Sequence, residues 1–135
     1  MSHPSAEETN YRVQMETSRW LIIDATMDNE VSVEVVEGDP GNVVDLGDSI
    51  RQAGWDQIPD WPRDLAGFKH WPAPGQTSTL TLSRPQWDLV ISALEGWSAV
   101  TASLGDPENA DQAEADRALV ELVRTQLLEQ GWTSR

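Results

Sequence analysis

Carboxylates are the side chains of this sequence with the clearest capacity for chemistry. The 135 residues include 23 Asp and Glu against nine Lys and Arg, which gives a formal net charge of −14. No basic residue lies between Arg19 and Arg51, and a second acidic stretch without a basic residue covers positions 106–116. Rows of carboxylates imitate a phosphate backbone and can occupy a cationic groove. The candidate partner-binding residues are Glu30, Glu34, Glu37, Asp39, Glu108, Asp111 and Glu114.

Two interpretations of this acidity stay open. A solvated acidic surface keeps a small protein in solution, and helix starts and turns favour acids for local reasons. A functional anionic face would instead bind divalent cations or a basic surface on a partner protein. Under either interpretation, direct binding to nucleic acid or to an anionic membrane is disfavoured, because both need a basic surface.

Aromatic residues are concentrated in positions 54–75, which hold three Trp, one Phe and four Pro. Proline at this density predicts an irregular loop, and buried aromatic rings would anchor that loop to the core. The alternative is a stacking platform for a sugar, a peptide or a base. The residues of that alternative ligand site are Trp55, Trp61, Phe68 and Trp71.

The sequence offers no motif for a metal site, a cofactor or a catalytic centre. It has no Cys, and His70 is the only histidine beyond the N-terminal segment. The acidic run at 106–116 lacks the central Gly and the closing Glu of an EF-hand loop. Phosphate-binding, dinucleotide-binding and nucleophile-elbow motifs are missing as well. We therefore expect no metal, no cofactor and no enzymatic activity.

Two helices are predicted over residues 83–131, the most regular part of the chain. Ser83 and Gln86 have the spacing of a capping box at the start of the first helix. Gly105 ends that helix and Gly131 ends the second, so the short connection predicts an antiparallel pair. The apolar stripes are Trp87, Val90, Ile91, Leu94, Trp97 and Leu104 on the first helix, and Ala115, Leu119, Leu122, Val123, Gln126 and Leu127 on the second.

Upstream of these helices, alternating apolar and polar residues predict strands at 11–17, 19–27, 30–37, 42–46 and 76–82. Asp28 and Asn29 separate the second and third strands, and such residues suit a two-residue hairpin turn. In that hairpin Asp24 shares a face with apolar valines, so it needs a partner or an edge position. A short helical turn is predicted at 50–53.

These elements predict an α+β fold, with a small, mostly antiparallel sheet of three to five strands packed against the C-terminal antiparallel helical hairpin. Residues 1–10 are expected to form a disordered lead, and residues 11–135 a single domain. The sequence has neither the basic and apolar regions of a signal peptide nor a long apolar run. We therefore expect a cytoplasmic protein.

The expected function is that of a non-enzymatic acidic binding protein or inhibitor. In size, acidity and lack of a catalytic motif, the chain resembles small proteins of phages and mobile elements that inhibit nucleic-acid machinery. This resemblance rests on composition, and it implies a DNA mimic with an anti-defence role that engages a basic surface of a nucleic-acid-binding partner. The alternatives are an assembly subunit that forms homo-oligomers through Trp-rich apolar contacts, and a binder of a small ligand.

Overall fold

Two strands, four α-helices and one 3-10 turn are present in the part of the chain that the computed structural model describes. The described residues are 9–40, 42–59, 61–64, 66–105 and 107–132, so residues 1–8 of the predicted lead lie outside them. The α+β class is as predicted. The elements are β1 Asn10–Glu16, α1 Thr17–Val36, α2 Val44–Gln57, the 3-10 turn Gly67–Lys69, β2 Thr77–Ser83, α3 Arg84–Ser103 and α4 Pro107–Glu129.

The sheet consists of β1 and β2, which pair in antiparallel register from Asn10↔Ser83 to Glu16↔Thr77. Buried and exposed residues alternate strictly along β1, because successive side chains of a strand point to opposite faces. The two strands predicted at 11–17 and 76–82 are confirmed to within one residue at each end. The buried residues of the sheet are Tyr11, Val13, Met15, Leu80 and Leu82.

Glutamine side chains of α4 close the outer edge of β1. Gln126 accepts a hydrogen bond from the N–H of Gln14 at 2.8 Å and donates to the carbonyl oxygen of the same residue. Gln130, one helical turn later, makes the same two bonds with the backbone of Arg12. The side chains thus occupy the backbone groups that a third strand would otherwise pair with.

The edge of β2 is closed in the same way from α2. Gln57 donates to the carbonyl oxygen of Thr81 at 2.9 Å and accepts from the N–H of Thr81 at 2.7 Å. Both edges therefore face helices, and no further strand pairs with the sheet within the described ranges. The prediction of three to five strands is wrong, because the sheet has two.

A single helix, α1, replaces the hairpin predicted over residues 19–37. Its buried residues Trp20, Ile23 and Met27 recur at intervals of three and four, the period of a helix and not of a strand. Each β-branched residue lowers helix propensity by at most about 0.7 kcal/mol, whereas burying one large apolar side chain contributes roughly 1.5–3 kcal/mol. The hairpin was predicted because the segment is rich in β-branched residues. The segment is a helix because the free energy gained by burying its apolar side chains is larger than the loss in helix propensity.

The strand predicted at 42–46 is also wrong, because α2 begins at Val44. Asp39, at φ 57°, places its carboxylate where the N–H groups of Val43 and Val44 donate to it, at 2.8 and 3.3 Å. The first N–H groups of a helix lack partners within the helix, so this contact favours a helical start. The helical turn predicted at 50–53 is part of α2, which also includes residues 54–57 of the predicted loop.

The C-terminal helical hairpin has the predicted start and stops. The N–H of Gln86 donates to the hydroxyl of Ser83, and the N–H of Ser83 donates to the side-chain oxygen of Gln86, which completes the capping box. Gly105 and Gly131 follow α3 and α4 with φ of 71° and 90°. Those angles suit glycine because it has no Cβ to clash in the left-handed region.

The antiparallel packing of α3 and α4 follows from two contacts. The hydroxyl of Ser98 donates to the carbonyl of Ala113 at 3.0 Å, and the guanidinium of Arg124 contacts Glu95 at 2.9 Å. Contacts that come earlier in α3 are made by residues that come later in α4, so the two helices are antiparallel. The predicted apolar hairpin is confirmed in its direction as well as in its helices.

The first half of α4 differs from its predicted stripe. Ala115 is exposed, whereas Ala113 and Asp116 are buried. Positions 113, 116 and 120 are buried at intervals of three and four, as in the second half of α4. The predicted stripe had the correct period but was displaced around the helix in the first half. The predicted residues that are buried in α4 are Leu119, Val123 and Leu127.

Trp132 folds back onto the sheet after α4. Its exposed fraction is 6%, and its ring lies 5.1 Å from that of Tyr11 in an edge-to-face arrangement. The guanidinium of Arg84 lies over the other side, 4.3 Å from the ring centroid. This tryptophan belongs to the core of the chain.

Candidate functional site

The two acidic stretches of the sequence lie on helices that border one cleft. Asn29 of α1, Thr101 of α3 and Gln112 of α4 line that cleft. Glu30 and Asp111 are the sequence neighbours of Asn29 and Gln112. We refer to the following residues as the acidic end: Glu30, Glu34, Glu37, Glu108, Asp111 and Glu114.

On α1, the acidic end is arranged along a helix and not along a strand. Glu30 and Glu34 are one turn apart, which places their backbones about 6 Å from each other, whereas a strand would separate them by about 13 Å. Glu30 is half-buried because its carboxylate accepts a hydrogen bond from the indole N–H of Trp97 at 3.0 Å. Glu37 is exposed directly after the helix.

On α4, the three acids of this end are exposed. Glu108 lies in the first turn, where the partial positive charge of the helix N-terminus favours a carboxylate. Glu114 contacts Arg117 at 2.7 Å, but both side chains are more than half exposed, so the pair contributes little to stability. Asp111 lies one turn before Glu114 on the same side of the helix.

Two other acids of α1, and Asp39, have local roles. Arg51 of α2 contacts Asp24 and Asp28, both at 3.1 Å, which neutralises the middle of α1. The conflict that Asp24 created in the predicted hairpin is thus absent from the helix. The carboxylate of Asp39 is engaged by the start of α2, so this candidate partner-binding residue also has a structural task.

The cleft at the acidic end has a volume of about 420 Å³ and is formed by α1, α3 and α4. Leu21, Ile22 and Ala25 provide an apolar wall, and the side chain of Trp97 is another part of the lining. Asp116 also lines the cleft, although its exposed fraction is only 5%. A buried carboxylate in the lining of a partly apolar cleft is an unusual polar group.

The sequence analysis did not single out Asp116, because it is one of many acids in the stretch 106–116. The signal that would have separated it is its phase: it lies three residues after Ala113 and four before Val120, both of which are buried. An acid on the apolar stripe of an amphipathic helix is expected to face the protein interior.

Burial raises the pKa of Asp116 above its ordinary value of 3.8, while the hydrogen bond from the amide of Gln112, at 3.0 Å, acts in the opposite direction. The folded chain therefore binds this proton more readily than the unfolded chain. The resulting cost in stability is absent well below the ordinary value and grows as the pH rises through the raised pKa.

Asp116→Asn is accordingly expected to increase the free energy of unfolding at pH 7 by about 1 kcal/mol, because the amide is cheaper to bury and keeps an oxygen for Gln112. Urea unfolding at a series of pH values measures the effect, and the gain should shrink as the pH falls towards the ordinary value. The control is Asp111→Asn on the same helix, which is exposed and should show no such trend. A gain that is independent of pH would contradict the assignment of the cost to ionisation.

Three of the four aromatic residues of the alternative ligand site lie together. Trp61 and Trp71 have ring centroids 4.8 Å apart, and Phe68 meets Trp71 edge-on at 5.9 Å. Trp61 and Trp71 are half-buried against the core, as expected for an anchor of this segment. Trp55 lies on α2, 45% exposed, with the guanidinium of Arg51 5.2 Å from its ring.

Within the described ranges, no group of three or more His, Cys, Asp or Glu side chains has the arrangement of a metal site. His70 is exposed after the 3-10 turn. Comparisons with protein-family models, curated protein sequences and solved structures gave no match. None of the helices in the described part of the chain is both long and apolar enough to span a membrane.

Proposed function

We propose that this chain is a non-enzymatic binding protein whose acidic end engages a basic surface of a partner protein. The observation that carries the proposal is that two acidic stretches, more than 70 positions apart in sequence, lie on α1 and α4, which border one cleft. Clustered carboxylates attract a cationic surface over a distance and orient it during encounter. The acids of the acidic end come from two rigid helices, so their spacing is held before binding.

The partner class that fits this chemistry best is a protein that itself binds nucleic acid. Its groove presents Lys and Arg at intervals that match phosphates, and an acidic protein in that groove would exclude the nucleic acid. The proposed activity is therefore inhibition by occupancy, in the manner of a DNA mimic. The net charge of −14 supports this class, because it repels nucleic acid and leaves a basic protein surface as the complementary ligand.

Charge reversal at the acidic end tests the proposal. The variant Glu34→Lys, Glu37→Lys, Asp111→Lys is expected to lose at least about tenfold in affinity for a partner captured from host lysate, since several complementary charge pairs become repulsive. Binding of the unchanged chain should also weaken as salt rises, because exposed charges are screened within about 8 Å at physiological ionic strength. Calorimetry or surface binding with the purified partner gives the affinities.

The matched control reverses three acids at the opposite end: Asp56→Lys, Asp88→Lys and Glu129→Lys. These residues are exposed, and Asp88 and Glu129 lie at the start of α3 and the end of α4, away from the cleft. Each reversal adds two positive charges, so either triple takes the formal net charge from −14 to −8. Equal losses in the two triples would show that net charge alone matters and would remove the acidic end as the binding surface.

A second candidate function is self-assembly, and exposed apolar residues favour it. Val35 and Val36 at the end of α1 are 59% and 87% exposed, and Leu104 after α3 is 64% exposed. Contacts between such residues would resist salt, unlike the charged contacts above. Light scattering of the purified chain at low and high salt separates the two functions: a salt-resistant oligomer supports assembly, and a monomer supports the acidic binding protein.

A further inference from the structure

A carboxylate as buried as Asp116 normally has a positive partner. Among the described residues, the hydrogen bond shown for its side chain comes from the neutral amide of Gln112. The ion pairs among the described residues involve Arg51, Arg117 and Arg124, and none of them reaches Asp116. The desolvated charge is therefore left to be balanced by something that enters the cleft.

We propose that the cleft between α1, α3 and α4 binds an organic cation, an alkylammonium or guanidinium group, with Asp116 as the counter-ion and the indole of Trp97 as an aromatic wall. A charged hydrogen bond to a carboxylate is about twice as strong as a neutral one, and burial strengthens it further. An indole attracts a cation placed over its face more strongly than the other aromatic side chains do. Both groups line the same cleft.

The position of Trp97 is fixed by its surroundings. Its N–H is held by Glu30 at 3.0 Å, and the residue lines both the 420 Å³ cleft and a second cleft of about 250 Å³. Trp97 therefore borders both clefts. A second carboxylate, that of Glu30, lies on its edge and adds to the negative potential that a cation meets.

The cleft suits an organic cation better than a metal ion. Divalent metals need several oxygen ligands around one point, and no such group was found among the described residues. An organic cation instead carries an apolar stem, and the wall of Leu21, Ile22 and Ala25 provides a surface for it. A volume of about 420 Å³ is within the usual range for a small-ligand site.

This cation has two possible sources, which share the same chemistry. It is either the basic side chain of a partner that docks on the acidic end, or a free amine. The site itself does not depend on the proposed function, because Asp116 and Trp97 line the same cleft in the isolated chain. The triple reversal of the acidic end leaves Asp116 in place, so loss of partner binding and loss of cation binding are measured separately.

The experiment titrates the full chain, with isotope-labelled indole nitrogens, at constant ionic strength. The probes are N-acetyl-lysine amide, N-acetyl-arginine amide, a straight-chain diamine, and uncharged N-acetyl-norleucine amide. We expect the indole N–H signal of Trp97, identified by its loss in Trp97→Phe, to shift with the cationic probes and not with the norleucine probe. Tighter binding of the amino-acid amides would identify a partner side chain as the source, and tighter binding of the diamine a free amine; both results support the site.

Asp116→Asn should weaken binding of the cationic probes at least about tenfold, which corresponds to about 1.4 kcal/mol. Since this variant is expected to be more stable than the natural chain, unfolding would not explain the loss. Glu129→Gln removes the same charge from the far end of α4 and should change the affinity by less than about twofold, because an exposed charge is screened. Equal losses in both variants, or no shift of the Trp97 signal, would overturn the proposal.

Discussion

Gly54→Ala is expected to lower the free energy of unfolding by about 3 kcal/mol, at the upper end of the usual cost of overpacking. Gly54 lies on the side of α2 that faces α1, against the indole of the fully buried Trp20. A Cβ at this position would lie 2.2 Å from the indole nitrogen and 2.5 and 2.6 Å from two ring carbons. Real Cβ atoms do not approach other atoms this closely, so the two helices would have to separate.

The indole cannot easily move aside. Trp20 is fully buried in the core, and its N–H finds no hydrogen-bond acceptor within the described part of the chain. The interior is packed as densely as an organic crystal, so a shift of this ring displaces its neighbours. Partial relief is expected in the double variant Trp20→Phe, Gly54→Ala, because the smaller ring lacks the atoms that the new Cβ would meet.

Chemical denaturation measures the effect, and Gly96→Ala is the matched control. Gly96 also lies within a helix, but a Cβ there would meet nothing within 4 Å. Alanine should raise the free energy of unfolding at that site by roughly 0.5–1 kcal/mol, since glycine costs backbone entropy in a helix. If both variants changed stability in the same direction, close contact between α1 and α2 would not be the cause.

Removing both glutamines from the edge of β1 is the second large effect that we expect. Gln126→Ala, Gln130→Ala deletes four hydrogen bonds to the backbone of Arg12 and Gln14. Each bond contributes roughly 0.5–1.5 kcal/mol, but water can replace the lost partners at an exposed edge and alanine favours the helix. The net loss in free energy of unfolding should therefore be about 2 kcal/mol.

Hydrogen exchange tests the mechanism at single residues. The amides of Arg12 and Gln14 should exchange much faster in the double variant. The amide of Val13 points to β2 in the alternating antiparallel ladder, so it should change only as much as global stability does. The control is Gln14→Ala, which truncates an exposed side chain of the strand itself. In that variant the amides of Arg12, Val13 and Gln14 should exchange as slowly as in the natural chain. Uniform acceleration in the double variant would mean that the glutamines stabilise the fold generally and do not close the edge.

The open edge has a further consequence. An unpaired strand edge is a template for another chain, so the double variant should form dimers or aggregates at concentrations where the natural chain does not. By bonding to these backbone groups, the two glutamines allow the sheet to end at β1 without a third strand. Sequence analysis placed Gln126 on the inner stripe of α4 but gave no reason for a polar residue there, and the hydrogen bonds supply it.

The sequence by itself determined the two strands of the sheet and the C-terminal helical hairpin. In β1 the two-residue period is unbroken, and in α3 a capping box coincides with a helical stripe, so local preference and burial agree. Gly105 and Gly131 mark helix ends because their backbone angles are costly for other residues. Such elements can be predicted from the sequence because their structure does not depend on contacts with distant parts of the chain.

Only the tertiary structure decided between helix and hairpin for residues 17–36. The valines and the Asx pair of this segment favour strands and a turn, whereas Trp20, Ile23 and Met27 favour a helix only once α2 and α3 are present to bury them. The close contact at Gly54 has the same origin, since an isolated glycine in a sequence more often marks a turn than a helix crossing.

The candidate site also has features that the sequence determines and features that only the tertiary structure determines. Its charge was evident from the composition, but the cleft that α1, α3 and α4 form together depends on how these helices pack. Asp116 is chemically identical to Asp111, and what sets it apart is its burial beside a cleft that α1 and α3 also border. Charge is a property of the chain, whereas desolvation is a property of the fold, because it requires neighbours that the sequence brings from far away.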